Sequence, residues 1–121
     1  MSLGIWTATQ GLCCAAGGNL LADVGVPQAM VEGFENTEGA LGDRLIAAMQ
    51  SGLNAGGEAG PLHSAGLLIV DTHGWPYAEL RCDWTEDCPI LMVAQAWKVY
   101  KPQANDYVCL LYTSPSPRDF T

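Results

Sequence analysis

Five polar side chains are the candidates for chemistry in this sequence: His63, Ser64, Asn19, Arg81 and Asp83. His63 and Ser64 stand in a loop flanked by glycine and proline, directly before a predicted strand. Loops that are held by a rigid scaffold often carry working residues, so this pair could line a site. The alternative is turn chemistry, in which the Ser64 hydroxyl bonds to nearby backbone, and the sequence favours this alternative.

The other three candidates lie on or beside predicted strands. Asn19 follows two glycines and could hold a backbone group or donate to an oxyanion, but it could equally close a turn. Arg81 and Asp83 are two positions apart and therefore project from one face of a strand, where they can form an ion pair and, with Glu79, a polar patch. The favoured interpretation is a solvated surface pair worth under ~1 kcal/mol.

A metal site is the next chemistry to weigh, because the chain has five cysteines and two histidines. Cys82, Cys88, His63 and His73 could be imagined as zinc ligands, but no CxxC or HxxxH spacing is present to arrange four ligands tetrahedrally. The odd cysteine count also argues against a secreted disulfide scaffold. We therefore expect reduced thiols that act as small buried hydrophobes, with no metal and no cofactor.

Composition and charge limit the class of protein. The 121 residues are 49% apolar and 15% charged, which indicates one soluble globular domain. Thirteen acidic residues against five scattered basic ones give a net charge of −8, which repels nucleic-acid phosphates and anionic lipid. No apolar run is long enough to span a membrane, and the N-terminus lacks the pattern of a signal peptide.

The hydrophobic pattern predicts an order of strands and helices. Stretches of helical spacing predict two helices, on the second of which Asp43 and Arg44 should face water. A short apolar run and a segment of period-two alternation predict an antiparallel hairpin with a turn over 71–76. The predicted elements are an irregular lead-in over 1–11, a buried strand over 12–21, helices over 27–39 and 41–55, strands over 65–70 and 77–84, and a helix over 89–101 that stops at Lys101-Pro102.

The end of the chain differs in character from the rest. Residues 109–119 have no hydrophobic period and carry two prolines within three residues, so this stretch should not extend a helix. The string Cys109-Leu-Leu-Tyr-Thr-Ser-Pro-Ser-Pro-Arg-Asp119 resembles the read-through translation of a sequencing-library transposon adapter. Residues 109–121 are therefore predicted to be a non-native tail, and the alternative is a natural disordered tail.

Several short stretches carry a family resemblance. They are Ala16-Gly-Gly-Asn-Leu-Leu-Ala22, Val26-Pro-Gln-Ala-Met30, Gly60-Pro-Leu-His-Ser-Ala-Gly66, Gly74-Trp-Pro76, Leu80-Arg-Cys-Asp-Trp84 and Pro89-Ile90. With them, the stretch 16–108 resembles the C-terminal half of a bacterial family, domain of unknown function 1028, of the N-terminal-nucleophile hydrolase superfamily. Residues 1–14 match it poorly. The stretch 97–108 resembles the start of an appendage named for peptidoglycan binding.

The resemblance implies an α+β fold, namely a four-layer sandwich in which two antiparallel sheets pack face to face between helices. This chain would supply part of it, with 1–95 in the hydrolase-like domain, 96–108 as the start of the appendage and 109–121 as the tail. One sheet face would then be open to water, which predicts association into a homo-oligomer or poor solubility. Any leader would precede this stretch, so cytoplasmic and periplasmic locations both stay open.

The chemistry that the resemblance implies uses the first residue of the mature chain as nucleophile, with its own α-amino group as base. Ser2 could be exposed by removal of Met1, but the resemblance places it in the middle of a longer protein, so we expect the nucleophile to lie outside this chain. The intact protein is then expected to hydrolyse an amide in a small molecule or peptide, and this chain alone to be inactive.

A non-catalytic role is the alternative. In it the sandwich is a scaffold and the appendage binds cell-wall peptidoglycan. The aromatic side chains that could stack on sugar rings are Trp75, Trp84, Trp97 and Tyr100. Anchoring in the core is the favoured role of Trp97.

Overall fold

The computed structural model describes residues 4–70 and 76–113. Over these residues the chain forms β1 (Ile5–Gln10), β2 (Ala15–Leu21), α1 (Val26–Glu35), α2 (Leu41–Asn54), β3 (Ala65–Val70), β4 (Pro76–Cys82) and α3 (Pro89–Thr113). The strands form two antiparallel hairpins, β1–β2 and β3–β4, and the helices pack against them. The predicted α+β class is confirmed.

The N-terminal hairpin corrects the predicted irregular lead-in. β1 pairs with β2, with Thr7 opposite Gly18 and Thr9 opposite Ala16, and the register shifts after Ile5. Threonines at alternate positions suit a pleated strand. The lead-in prediction was wrong because the last four residues of β1 carry no large apolar side chain, which leaves only a weak hydrophobic signal.

β2 is shorter and more exposed than the buried strand predicted over 12–21. It begins at Ala15, after a turn in which the Gly11 N–H donates to the Cys14 carbonyl oxygen at 2.8 Å. Of its seven residues, Leu21 alone is buried. The burial prediction was wrong because alanine and glycine offer little side-chain surface to bury.

α1 and α2 pack closely against each other. Pro27 lies in the first turn of α1, where its missing N–H has no intrahelical partner to lose. The helix ends at Glu35, before the predicted stop near Gly39. A Cβ added at Gly33 would lie 2.8 Å from the Cβ of Ser51 on α2. Glycine at this position therefore permits the close approach of the two helices.

β3 and β4 form the antiparallel hairpin that the sequence predicts. Leu67 lies opposite Leu80 and Ile69 opposite Ala78, on the face that packs against the helices. Most of the predicted turn, residues 71–75, lies outside the described residues. The core cluster consists of Ile46, Leu67, Ile69, Ala78, Val93 and Trp97. The predicted core role of Trp97 is confirmed.

α3 is longer than predicted. It continues past Pro102 to Thr113, so the predicted stop is wrong, and so is the prediction that the helix cannot include 109–113. A proline inside a helix costs about 3 kcal/mol, because it removes one backbone hydrogen bond and crowds the preceding turn. Trp97 and Ala104, on either side of Pro102, are only 4% and 1% exposed. Their burial offsets the cost, and local pattern cannot show it.

The helix α3 runs across the predicted domain boundaries, so the predicted division of the chain stays a prediction. Both predicted boundaries, at residues 95–96 and 108–109, fall inside α3. The tail beyond residue 113 lies outside the described residues. Within the part of the chain that the structure describes, no helix combines the length and apolar character needed to cross a bilayer.

The helices cover one face of each hairpin and leave the other face in water. Trp6 on β1 is 79% exposed, and Leu68 and Val70 on β3 are 56% and 55% exposed. We call these three residues the open face. They lie on the uncovered faces of the two hairpins, because strand residues alternate between the two faces of a sheet, and they match the open face that the resemblance implies.

Candidate functional site

His63 is tied to the segment after β4. Its Nδ1 lies 2.9 Å from the carbonyl oxygen of Thr85, and the Thr85 N–H donates to the His63 carbonyl oxygen at 2.9 Å. The imidazole stacks on the indole of Trp84, with ring centroids 3.9 Å apart and planes 14° from parallel. Because a carbonyl oxygen can only accept, Nδ1 carries a proton, and Nε2 is the nitrogen of neutral His63 that can still accept one.

Arg81 and Asp83 form the ion pair that the sequence predicts. Nη2 of Arg81 lies 2.7 Å from Oδ1 of Asp83. Both side chains are largely exposed, so water screens the pair and its contribution is under ~1 kcal/mol. Exposed Glu79 and Arg81 alternate along β4 and lie opposite Leu68 and Gly66 respectively. The polar patch therefore shares the open face with Leu68.

Ser64 and Asn19 are exposed, and neither side chain has a hydrogen-bond partner within residues 4–70 and 76–113. The sequence favours a hydrogen bond from the Ser64 hydroxyl to local backbone, but the described residues contain no such bond. Asn19 precedes Leu20, whose φ of 54° lies in the left-handed region, and the Leu20 carbonyl oxygen accepts from the Ala59 N–H at 2.7 Å. Asn19 thus stands beside an irregular point of β2.

The five candidate residues do not come together as one catalytic set. His63 bonds to Thr85, and Arg81 bonds to Asp83. Asn19 belongs to the other hairpin. A nucleophile and a base in hydrogen-bond contact are the usual mark of covalent catalysis, and the described residues among these candidates contain no such pair.

The described cysteines are free thiols in varied surroundings. Cys13 is exposed, which corrects the expectation of a buried hydrophobe, while Cys82 packs against the core cluster. Among the described residues, no three His, Cys, Asp or Glu side chains lie close enough together to hold a metal ion. His73, one of the imagined zinc ligands, lies outside the described residues.

Asp43 and Arg44 have partners, although the sequence predicts that both face water. Oδ2 of Asp43 accepts from Nζ of Lys101 at 2.7 Å. This bond, followed by the bond from the Trp97 indole, holds the pKa of Asp43 below its ordinary value of 3.8. Arg44 lies 4.0 Å from the ring centroid of Phe34 and donates from Nε to the Phe34 carbonyl oxygen. Asp43 therefore links α2 to α3, and Arg44 links α2 to α1.

A groove between β2 and β3 was not predicted. A cavity of about 590 Å³ is lined by Ala15–Gly17 of β2, by Gly66–Leu68 of β3 and by apolar side chains of α1 and α2. A second cavity of about 240 Å³ shares Gly17, Met30 and Met49 with the first and continues along β2. We call the two together the β2–β3 groove. A gap between distant strands leaves no local pattern, so the run of small residues in β2 is its only sequence signal.

Comparison with known proteins identifies the class. The described chain is an α+β layer of two hairpins backed by helices, and the model of a family of unknown function, DUF1028, matches residues 2–92. The chain belongs to the DUF1028 family. The resemblance of the motifs to DUF1028 itself is confirmed, and the match includes most of the stretch 1–14 that the motifs left unmatched.

A solved structure supports the same assignment. The crystal structure of a DUF1028 protein from Silicibacter pomeroyi is 30% identical to this chain and superposes with a TM-score of 0.71. The match covers 80% of this chain and 41% of that one, so this chain spans less than half of the length of that protein. No curated protein matches the chain.

Proposed function

We propose that this chain is one helix-backed sheet layer of an amide hydrolase of the N-terminal-nucleophile type, and that it serves the reaction by packing against a second layer. The observation that carries the proposal is the open face. A sheet that is backed by helices on one side and apolar on the other needs a second layer to bury that side. Trp6, Leu68 and Val70 are the side chains that such a layer would cover.

The length of the Silicibacter pomeroyi protein supports this proposal. Its fold matches that of the present chain over 80% of the chain, yet more than half of its own length lies outside the match. That remainder is long enough to supply another layer of strands and helices, since two layers around one core are the usual construction of a domain. In the proposal, the second layer also brings the nucleophile.

The polar patch would then face the junction of the two layers. Glu79 and Arg81 are exposed on β4, Asp83 is exposed directly after it, and Glu79 lies opposite Leu68 of the open face. A guanidinium at such a junction could bind the carboxylate of a peptide or of a small-molecule amide, because its planar fork matches a carboxylate. In this proposal the patch orients the substrate, and the bond is broken by a group outside the described residues.

Amide hydrolysis assays test this proposal on two proteins. This chain as given, its Ser2→Ala variant and the full-length Silicibacter pomeroyi protein are incubated with one panel of acyl-anilide and peptide amides. We expect turnover only by the longer protein, with loss of turnover when the first residue of its mature chain is replaced by alanine. Turnover by this chain that disappears in Ser2→Ala would contradict the proposal, as would an inactive longer protein.

Exposure of Trp84 favours a second candidate, a scaffold that binds cell-wall glycan. The Trp84 side chain is 65% exposed, with one ring face against His63, and its Nε1–H donates to Glu86 at 3.2 Å. Trp97 is buried and Tyr100 packs partly buried against the core cluster, so neither ring is well placed to stack on sugar. Cosedimentation with insoluble peptidoglycan tests this candidate, which requires binding that Trp84→Ala removes.

A further inference from the structure

We propose that Cys13 and Cys14 form a reversible thiol–disulfide switch, whose co-reactant is a small-molecule disulfide such as oxidised glutathione. In this switch the two adjacent thiols close one intramolecular disulfide, and an excess of the reduced small molecule opens it again. The inference concerns the turn between β1 and β2, whereas the proposed function concerns the layer stacked on the open face. The two can therefore fail separately.

The turn that joins β1 to β2 places both thiols outside the paired strands. β1 ends at Gln10 and β2 begins at Ala15, so the two cysteines lie in the connecting segment. Both are free thiols, and Cys13 is exposed while Cys14 is half-buried. An accessible thiol beside a second thiol is the arrangement of a redox-sensing cysteine and its resolving partner.

The end of α1 holds this turn in place. The Leu12 N–H donates to Oε2 of Glu35 at 2.8 Å. A Cβ added at Gly11 would lie 2.5 Å from the same oxygen and 3.1 Å from Sγ of Cys14. Sγ of Cys14 therefore lies on the side of the turn that faces α1. Cys13 is exposed, so it is the thiol that a dissolved reagent reaches first.

Thiol–disulfide exchange gives the switch a balanced two-electron reaction. The Cys13 thiolate attacks one sulfur of oxidised glutathione, the S–S bond of glutathione breaks, and one glutathione leaves as its thiol with the proton that Cys13 released. The Cys14 thiolate then attacks Sγ of Cys13, and the second glutathione leaves with the proton from Cys14. Two protein thiols are oxidised to one disulfide, while one small-molecule disulfide is reduced to two thiols.

The adjacency of the two cysteines makes this disulfide reversible. Consecutive Cα atoms are about 3.8 Å apart across a trans peptide bond, which is less than the roughly 4.4–6.8 Å that most disulfides span. A ring that closes across one peptide bond is therefore strained. Strained or exposed disulfides are the ones that are readily reduced and that serve regulation, whereas structural disulfides resist reduction by glutathione.

A glutathione redox titration of the full chain tests the switch. The chain is equilibrated at graded ratios of reduced to oxidised glutathione, free thiols are alkylated, and the mass of the tryptic peptide 1–44 is measured. This peptide contains Cys13 and Cys14 and no other cysteine, because Arg44 is the first basic cleavage site of the chain. We expect oxidation to remove both alkylation sites together and to leave the peptide lighter by two hydrogen atoms. Reduced glutathione, added back in excess, should restore both thiols.

Single cysteine variants separate the switch from ordinary thiol oxidation. In Cys14→Ser the mixed disulfide on Cys13 has no neighbouring thiol to displace it. Under oxidised glutathione alone it should persist at least about tenfold longer than in the wild type, since an adjacent thiol acts at a high effective concentration. Cys88→Ser is the matched control, because Cys88 lies directly before α3, and it should keep the wild-type titration.

Four results overturn the inference. The first is a wild-type peptide 1–44 that passes from two free thiols to two glutathione adducts without the internal disulfide. The second is oxidation that yields only disulfides between two chains, and the third is a peptide that stays reduced at every ratio. The fourth is a mixed disulfide on Cys13 that disappears as fast in Cys14→Ser as in the wild type.

Discussion

The indole Nε1–H of Trp97 donates a 2.9 Å hydrogen bond to Oδ1 of Asp43, across 54 positions of the sequence. Trp97 is almost fully buried, so the bond gives a partner to a polar group that would otherwise be desolvated at a cost. The second oxygen of the same carboxylate accepts from Lys101 and from the Ala40 N–H. One side chain thus fastens α3 to the start of α2.

Removal of this carboxylate should destabilise the fold. We expect Asp43→Ala to lower the free energy of unfolding by about 1.5–3 kcal/mol at pH 7, because hydrogen bonds to charged groups contribute this much. Asp43→Asn should cost less, since its amide oxygen can still accept from Trp97. Urea denaturation measures both values. Equal stability of Asp43→Ala and the wild type would show that the contact does not fasten the helices.

The stability difference should also depend on pH. The pKa of Asp43 is lowered in the folded chain, chiefly by the Lys101 hydrogen bond and next by that of Trp97. A lowered folded pKa adds stability above the unfolded pKa, and this stability is lost as the pH falls through the folded pKa. The gap between wild type and Asp43→Ala should therefore narrow below pH 3.8. Urea titrations at several pH values check this, and a constant gap would contradict it.

Gly42 lies directly beneath Trp97 and should not tolerate a methyl group. A Cβ at this position would lie 2.5 Å from Cε2 of the indole. We expect Gly42→Ala to destabilise the fold by about 1–3 kcal/mol through overpacking. Gly66→Ala is the matched control, because the nearest atom to its Cβ would be 3.8 Å away. Equal melting temperatures for the two variants would contradict the close packing of Trp97 on α2.

The surface ion pair should contribute less to the free energy of unfolding than the contacts of His63. Arg81→Ala should change the free energy of unfolding by under ~1 kcal/mol, because both partners are exposed. His63→Ala should cost about 1–2 kcal/mol, since it removes a bond to Thr85 and a stacked ring. Chemical denaturation of the two variants side by side measures this. A greater loss of stability in Arg81→Ala than in His63→Ala would contradict this prediction.

The predicted parts of the fold are those with strong local patterns. The β3–β4 hairpin was predicted because a short apolar run precedes a strict alternation of polar and apolar residues. The helices α1 and α2 were predicted because their apolar residues follow helical spacing. The ion pair of Arg81 and Asp83 follows from the strand period alone. In each case the pattern within a few residues contains the whole signal.

The features that were missed depend on distant contacts. α3 passes Pro102 because Trp97 and Ala104 are buried by other elements, and helix propensity does not contain that packing. Asp43 was expected to face water because its partners lie on another helix. The β2–β3 groove is a relationship between two strands that are far apart in sequence, so no local pattern could reveal it.

Self-association of the full chain tests most directly the claim that its open face belongs against a second layer. Sedimentation velocity at increasing concentration is compared for the wild type, for a double variant Trp6→Lys and Val70→Lys, and for Val99→Lys as control. We predict that the wild type and the control associate, because contact between two copies removes the exposed apolar sheet face from water. The double variant should stay monomeric. A wild-type chain that remains a monodisperse monomer and unfolds cooperatively on heating would contradict the claim.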